Sequence, residues 1–473
     1  MVFSSLTFLI FFLPTLLLCY FLIPKSQRGL RNFVLLIFSL FFYGWGGPKF
    51  LLLLLISIVI NYLCGLYAEL GKTLSARKSA VIVAVILNLG LLGWFKYAGF
   101  FAEMICSLGV IIPVPEIVLP VGISFFTFQG LSYVIDVYRK DAPAQKNPLN
   151  VALYIALFPQ LVAGPIVRYT TIAEMIMNRK ENLDDFSAGV VRFMLGLGKK
   201  MILANAMGEI ADSIFALDTG GMAVSLAWIG IFAYTLQIYF DFSAYSDMAI
   251  GLGRMFGFHF LENFNYPYIS RSITEFWRRW HISLSSWFRD YLYIPLGGSR
   301  CGLAKQIRNI AIVWLLTGLW HGAAWTFVFW GAWFCLLLIG ERYLWGGLLK
   351  RSPGMLKYLY TMIAVMISWV FFRSGSISYA FSYLGAMFGS SGTLLDGHTV
   401  FLLRQYWPEL ILGVIGIFPL KVVLQHYLES RQNHFLSRMA LAWGPKLLAL
   451  FVFACSYMLL VTGSFNPFIY FQF

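Results

Sequence analysis

Two histidines and a set of arginines carry most of the chemical capacity of this 473-residue chain. Only six histidines occur in it. His321 stands in an otherwise apolar segment, and His281 lies on the edge of an apolar stripe. An imidazole titrates near neutrality, so at either place it suits proton transfer. An ionisable group within a membrane is a functional hypothesis by default. Close to His281 come Arg271, Arg278, Arg279 and Arg289. Guanidinium groups bind phosphate oxygens in bidentate fashion, so the pattern is that of a base beside an anion-binding surface. Each feature also has a plainer reading. A lone histidine is more often a hydrogen-bonded core residue, and a basic amphipathic helix can simply lie on anionic lipid.

The elements that must position these residues follow from local pattern. Ser272-x-x-Glu275 is a capping box, so a helix is expected to start near Ile273. Its apolar positions Ile273, Phe276, Trp277, Trp280, Leu284, Trp287, Phe288 and Tyr291 recur at helical spacing. Arg271, Arg278 and Arg289 share another face, and Pro295-Leu296-Gly297-Gly298 stops the helix. His321 falls in 309–341, which is too long for one crossing and carries Gly318, His321 and Gly322 near its middle. A dip into or through the membrane, with His321 near its tip, is the expected form. Non-helical backbone at such depth is tolerated only inside protein or beside a water-filled cavity.

Composition makes the surroundings a bilayer. The chain is 59% hydrophobic and only 12% charged, too little charge for the surface of a soluble protein of this size. Apolar stretches long enough to cross recur at 5–24, 32–46, 49–70, 79–97, 117–137, 189–207, 223–250, 357–373, 409–425 and 447–463. The first lacks the basic n-region and small-residue cleavage site of a signal peptide and is expected to stay as helix one. Residues 150–168, broken by Pro159, Gly164 and Pro165, fit a re-entrant hairpin of two half-helices better than a crossing.

Basic clusters at Lys25/Arg28/Arg31, Lys72/Arg77/Lys78 and Arg139/Lys140/Lys146 follow the first, third and fifth spans. The positive-inside rule then puts them in the cytoplasm and both termini outside. The excess of 35 Lys and Arg over 21 Asp and Glu reads as orientation and a negatively charged cytoplasmic ligand, not as nucleic-acid binding. The six cysteines are scattered without a C-x-x-C pair and read as apolar fillers. No zinc-ligand spacing, Walker lysine motif or G-x-S-x-G elbow occurs. Asp241 and Asp247 are either proton or cation sites or, more simply, hydrogen-bonded residues of the bundle.

The runs TEFWRRWHISLSSWFRDYLYIPLGG (274–298) and TGLWHGAAWTFVFWG (317–331) resemble the membrane-bound O-acyltransferase family. The bacterial branch typified by alginate O-acetyltransferase is the nearest match. Supporting stretches are 119–139, 158–169, 237–258 and the terminal FNPFIYFQF (465–473), so the resemblance runs nearly end to end. It implies an all-α polytopic membrane protein of about ten or more transmembrane helices. Re-entrant and interfacial helices would join these in enclosing a tunnel. One transmembrane domain is expected over 1–473, with 465–473 as an extracellular aromatic tail, in a bacterial inner membrane.

The resemblance also implies roles. His321 matches the family's near-invariant histidine, and His281 takes the place of its upstream Asn or His. The donor site would be Arg278, Arg279 and Arg289 with Trp277 and Trp280, holding acetyl-CoA from the cytoplasm. No metal and no permanently bound cofactor is expected. The acceptor would be an extracellular or periplasmic polysaccharide, alginate-like first, reached with the help of an SGNH or esterase-like partner; membrane lipid surrounds the protein and nucleic acid is not a partner. In the teichoic-acid branch a similar tyrosine motif on a separate chain relays the acyl group, which carries over here to Tyr470. The plainer reading of the tail is an interfacial aromatic anchor. D-Alanyl-type transfer to a cell-envelope polymer and a glycan or ion transporter are the alternatives; the broken segments do not recur symmetrically, as the halves of many transporters do.

Overall fold

The structure, a computed structural model, describes all residues except 163, 432–433, 464–467 and 470–473. Every regular element among the described residues is a helix. In chain order they begin with α1 (Leu13–Leu22), α2 (Arg28–Gly44), α3 (Pro48–Leu70), α4 (Leu74–Ser107), α5 (Ile123–Arg139) and α6 (Pro148–Ala156). There follow α7 (Phe158–Leu161), α8 (Tyr169–Asn178), α9 (Leu183–Gly198), α10 (Asn205–Phe215), α11 (Val224–Met255), α12 (Ile273–Arg279) and α13 (Ile282–Phe288). The rest are α14 (Leu303–His321), α15 (Trp325–Tyr343), α16 (Gly346–Arg351), α17 (Gly354–Arg373), α18 (Ile377–Met387), α19 (Gly397–Gly416), α20 (Leu420–Glu429) and α21 (Phe435–Thr462). Short π-helical turns occupy Thr7–Phe12, Lys199–Ala204 and Arg289–Tyr293.

By length and composition α3, α4, α11, α17 and α21 can each cross a membrane. The pair α19 and α20 passes the same test only together and is bent by 61°. A single span over 409–425 is therefore replaced by a bend at Pro419, whose missing N–H cannot continue the helical ladder. The segment expected at 117–137 becomes helical only from Ile123, because Pro113, Pro115 and Pro120 precede it. The hairpin expected at 150–168 has one half-helix, α6, about 14 Å long at the usual rise. Its second half shrinks to the four residues of α7, and the described residues from 164 to Arg168 are irregular.

The chain divides into two compact units, Met1–Phe193 with Tyr245–Leu261, and Met194–Ala244 with Glu262–Phe473. The core of the second is aromatic, with Trp280, Trp330, Trp369, Tyr234, Tyr268 and Tyr383 fully buried. Within it α14 and α15 cross with glycine on both sides. A Cβ added to Gly318 would strike the Phe327 carbonyl, and one on Gly331 the Trp314 carbonyl. The break expected within 309–341 falls at Gly322, where α14 ends in extended backbone and α15 starts three residues later.

In the first unit Phe3, Phe8, Phe12, Phe42 and Phe158 form one ring cluster with centroids 5.1–6.3 Å apart. At its polar end the Glu181 carboxylate, almost fully buried, pairs with Arg28, Arg31 and Arg179 and accepts from the Tyr20 hydroxyl. Lys25 donates to the Glu181 carbonyl at 3.2 Å. The basic cluster 25–31 is thus a partner of this one acid as well as an orientation signal.

Removing the shared carboxylate leaves buried guanidinium groups uncompensated, so Glu181→Ala should cost about 3–5 kcal/mol. Burial pushes the Glu181 carboxyl up, but hydrogen bonds from Arg28 and Tyr20 outweigh it and hold the group at about 2. A folded value below the unfolded one of about 4.3 means the stabilisation is complete above that pH and fades as pH falls toward 2. The difference in thermal midpoint between wild type and Glu181→Gln in detergent should be constant above about pH 5 and shrink below it. A difference that grows on acidification would contradict the assignment.

Candidate active site

The capping box at 272–275 forms: the Ser272 hydroxyl accepts from the Glu275 N–H at 3.0 Å. The Glu275 carboxylate accepts in return from the Arg271 N–H, one residue earlier than expected. Glu341 on α15 completes the cap. Its carboxylate accepts from the Ile273 and Thr274 N–H groups and from the Thr274 hydroxyl, at 2.5, 3.0 and 2.7 Å. A carboxylate at a helix N-terminus also meets the positive end of the macrodipole.

The single helix expected from Ile273 to Pro295 is two helices. α12 stops at Arg279, Trp280 is extended, and His281 is left-handed, with φ 42° and ψ 54°, at the start of α13. The hydrogen bonds that a continuous helix would have made go to 263–265. The Ile282 N–H donates to the Asn263 carbonyl at 2.9 Å, and the Asn265 N–H donates to the Arg279 carbonyl at 2.9 Å. Asn263 Oδ1 accepts from the Ser283 N–H at 3.2 Å and from the Ser283 hydroxyl at 2.9 Å. A left-handed β-carbon residue costs of order 1–2 kcal/mol, and such strain clusters at functional sites.

This bracket also sets the state of the His281 ring. An atom accepting from a backbone N–H must be the amide oxygen, so His281 Nδ1, 3.1 Å away, donates to it. The neutral ring then carries its lone pair on Nε2. Burial pushes the imidazole down to about 3, so His281 is neutral at physiological pH. Its ring packs edge-on against Phe242 at 4.6 Å and lies 6.0 Å from Trp320.

His321 ends α14 and is buried. Trp320, Trp330 and Phe372 present their rings to its ring at 4.9, 4.9 and 5.2 Å, all near-perpendicular. Trp320 is therefore the neighbour that the two histidines share. The signal for it was adjacency to His321; nothing in the sequence marked Phe372 or Asn263.

Beside this cage opens a cavity of about 820 Å³. Six cationic side chains line it: Arg271, Arg278, Arg289, Arg342, Lys350 and Lys357. Glu275 and Glu341 oppose them. Its wall also includes Trp277, Trp314 and Thr317, the last one turn before His321 on α14. Trp277 stands 4.6 Å from Trp314 and 5.7 Å from Trp330, whose other side meets His321. Two indole rings thus lead from cavity wall to histidine.

Of the residues expected to hold the donor, Trp277, Arg278 and Arg289 line this cavity. Arg279 instead donates to Glu275 and to the Asn265 carbonyl. Trp280 packs in the core 5.1 Å from Trp369. Arg279 follows Arg278 directly on α12 and so points to another face of the helix, and Trp280 leaves the helix in extended backbone. The basic residues of α15 to α17 were legible only as flanking charge. Tyr470 lies outside the described residues; its neighbours Phe468 and Ile469 are buried.

A sequence model of the membrane-bound O-acyltransferase family matches residues 138–385, which include α12 to α15 and both histidines. The chain is similar to a probable alginate O-acetylase of Azotobacter vinelandii, 41% identical over the full length of both chains. A probable alginate O-acetylase of Pseudomonas aeruginosa is 47% identical over 83% of this chain and 76% of its own. A peptidoglycan O-acetyltransferase of Helicobacter pylori is 32% identical over all of this chain and 98% of its own. On the family match, the end-to-end relatives and the long apolar helices, this chain belongs to the membrane-bound O-acyltransferase family and is a multi-pass membrane acyltransferase.

Proposed function

We propose that the protein moves acetyl groups from cytoplasmic acetyl-CoA across a bacterial inner membrane for O-acetylation of an alginate-like polysaccharide. The observation that carries this reading is the basic cavity set against the aromatic cage of His321. Six cations suit the phosphates of coenzyme A, while the wall of Trp277 and Trp314 suits the apolar end that carries the thioester. The class of acceptor follows the relatives named for alginate, which match with higher identity than the one named for peptidoglycan. In this reading about ten or more helices embed the protein, the basic segment 271–308 faces the cytoplasm, and a tunnel joins the cavity to the outer side.

The chemistry is nucleophilic attack on a thioester. His321 takes the proton of an acceptor hydroxyl as its oxygen bonds to the acetyl carbon. The carbon–sulfur bond then breaks, and the thiolate leaves as free coenzyme A with a proton returned by the imidazolium. Neutral His281, held by Asn263, positions the reacting groups. Tyr470 is the first acceptor in this scheme. A phenol is a poor nucleophile at its usual pKa near 10, so it needs the base that His321 supplies. An SGNH-type or esterase-like partner outside would then pass the acetyl group from the tyrosyl ester to the glycan.

Three measurements test the scheme in purified protein or membranes. His321→Ala should abolish acetyl transfer with expression and donor binding retained. His281→Ala should be severe, and the double variant barely worse than His321→Ala, as for groups that act as a unit. A fully active His321→Ala protein ends this mechanism.

Arg278→Ala and Arg289→Ala should each raise the KM for acetyl-CoA by about tenfold, the worth of one charge-assisted contact, with kcat little changed. Arg279→Ala should leave KM near wild type. Equal effects at all three positions would move the donor away from this cavity.

Tyr470→Phe keeps an apolar ring but removes the nucleophile. Polymer acetylation should be lost, and mass spectrometry of wild-type protein incubated with acetyl-CoA should find an ester on Tyr470. Normal acetylation by Tyr470→Phe returns the tail to an anchoring role.

A further inference from the structure

One buried ion pair of the second unit takes no part in the chemistry above. Asp241 on α11 and Lys200 in the π turn Lys199–Ala204 are almost fully buried and lie 2.6 Å apart. Lys200 bonds one carboxylate oxygen, Oδ1. The other, Oδ2, accepts the backbone N–H of Ile469 at 2.8 Å. The Lys200 ammonium also sits over the Phe468 ring, 4.6 Å from its centroid. Ile469 itself belongs to the aromatic core of this unit. A single ion pair thus holds a segment that follows it by more than two hundred residues.

Packing alone does not account for such a pair. Desolvating two charges is expensive, and apolar residues of similar volume often serve a core as well or better. What an apolar pair cannot do is accept a backbone N–H. A buried amide without an acceptor carries the full desolvation penalty, so the carboxylate selects the one backbone register that brings an N–H to Oδ2. The cation over Phe468 adds a second, aromatic, point of attachment. The π turn fits the same purpose, since such turns re-aim side chains and recur at functional sites.

We propose that Lys200 and Asp241 are positioning residues that dock Phe468 and Ile469, and so set where the next residue, Tyr470, is presented. The functional value of the dock rests on the acyl-relay reading, but its existence does not. The pair acts through the segment it holds.

The test is hydrogen exchange of the Ile469 amide in the full chain, followed by mass spectrometry, alongside acetyl-transfer kinetics. The double variant Lys200→Met with Asp241→Leu keeps the volume and removes the acceptor. Its thermal midpoint should match or exceed wild type, while exchange at Ile469 rises by about tenfold or more and kcat falls by a similar factor with the KM for acetyl-CoA unchanged. Asp241→Asn is the second variant. Its NH2 group cannot accept and is repelled by the Lys200 ammonium, so the carbonyl oxygen turns to Lys200, the NH2 faces the Ile469 N–H, and exchange should rise there too. An Ile469 amide as protected in either variant as in wild type overturns the dock. Rapid exchange together with an active Tyr470→Phe protein keeps the dock and discards the relay.

Discussion

The carboxamide of Asn263 takes three donors from two neighbouring residues, and the geometry of the active-site region depends on that bracket. It pulls 263–265 against the chain at Arg279–Ile282 and lets the backbone break there without losing its hydrogen bonds. The break puts Trp280 in the core, and the Asn263 oxygen assigns the proton of His281 to Nδ1. A residue that could not accept from the Ser283 N–H would leave the left-handed turn at His281 without its compensation. The strain is local; the bonds that support it come from a segment eighteen residues away.

A second constraint governs the rest of the molecule. In a chain this apolar, a buried charge must have a partner or be neutral. Glu181 gathers three arginines in the first unit. In the second, Asp241 answers one lysine and one backbone amide. The cavity is different: among the described residues that line it, six cations face two carboxylates, both also occupied by capping bonds or by Arg279. Among the described residues, Arg289 alone of the six has a further carboxylate, Asp290, beside it at 2.7 Å. That imbalance is what an anionic ligand would relieve, and it lies where a thioester would reach the rings around His321.

The crossing of α14 and α15 shows how small residues serve chemistry. Gly318 and Gly331 admit the opposing backbone carbonyls to distances that any side chain would forbid. The close approach brings Trp330 on α15 against His321 on α14. In a membrane, where apolar surface alone drives little association between helices, such contacts carry much of the packing.

By itself the sequence determined the class of the molecule: its apolar stretches, basic loops, capping box and glycine-flanked histidine are local patterns, and each keeps its meaning wherever the segment folds. The family match extends the same information, since its motifs are contiguous runs. The tertiary structure decided what those patterns share. Periodicity over 273–291 spoke for one helix because it records side-chain alternation and cannot register Asn263 competing for the backbone. Glu341, Lys350 and Lys357 joined the cavity, and Trp330 and Phe372 the cage, only when helices distant in sequence packed together. Asp241 was visible as a charge in a span; that it holds Ile469 could come only from the fold, because a hydrogen bond to a backbone amide leaves no residue type to read.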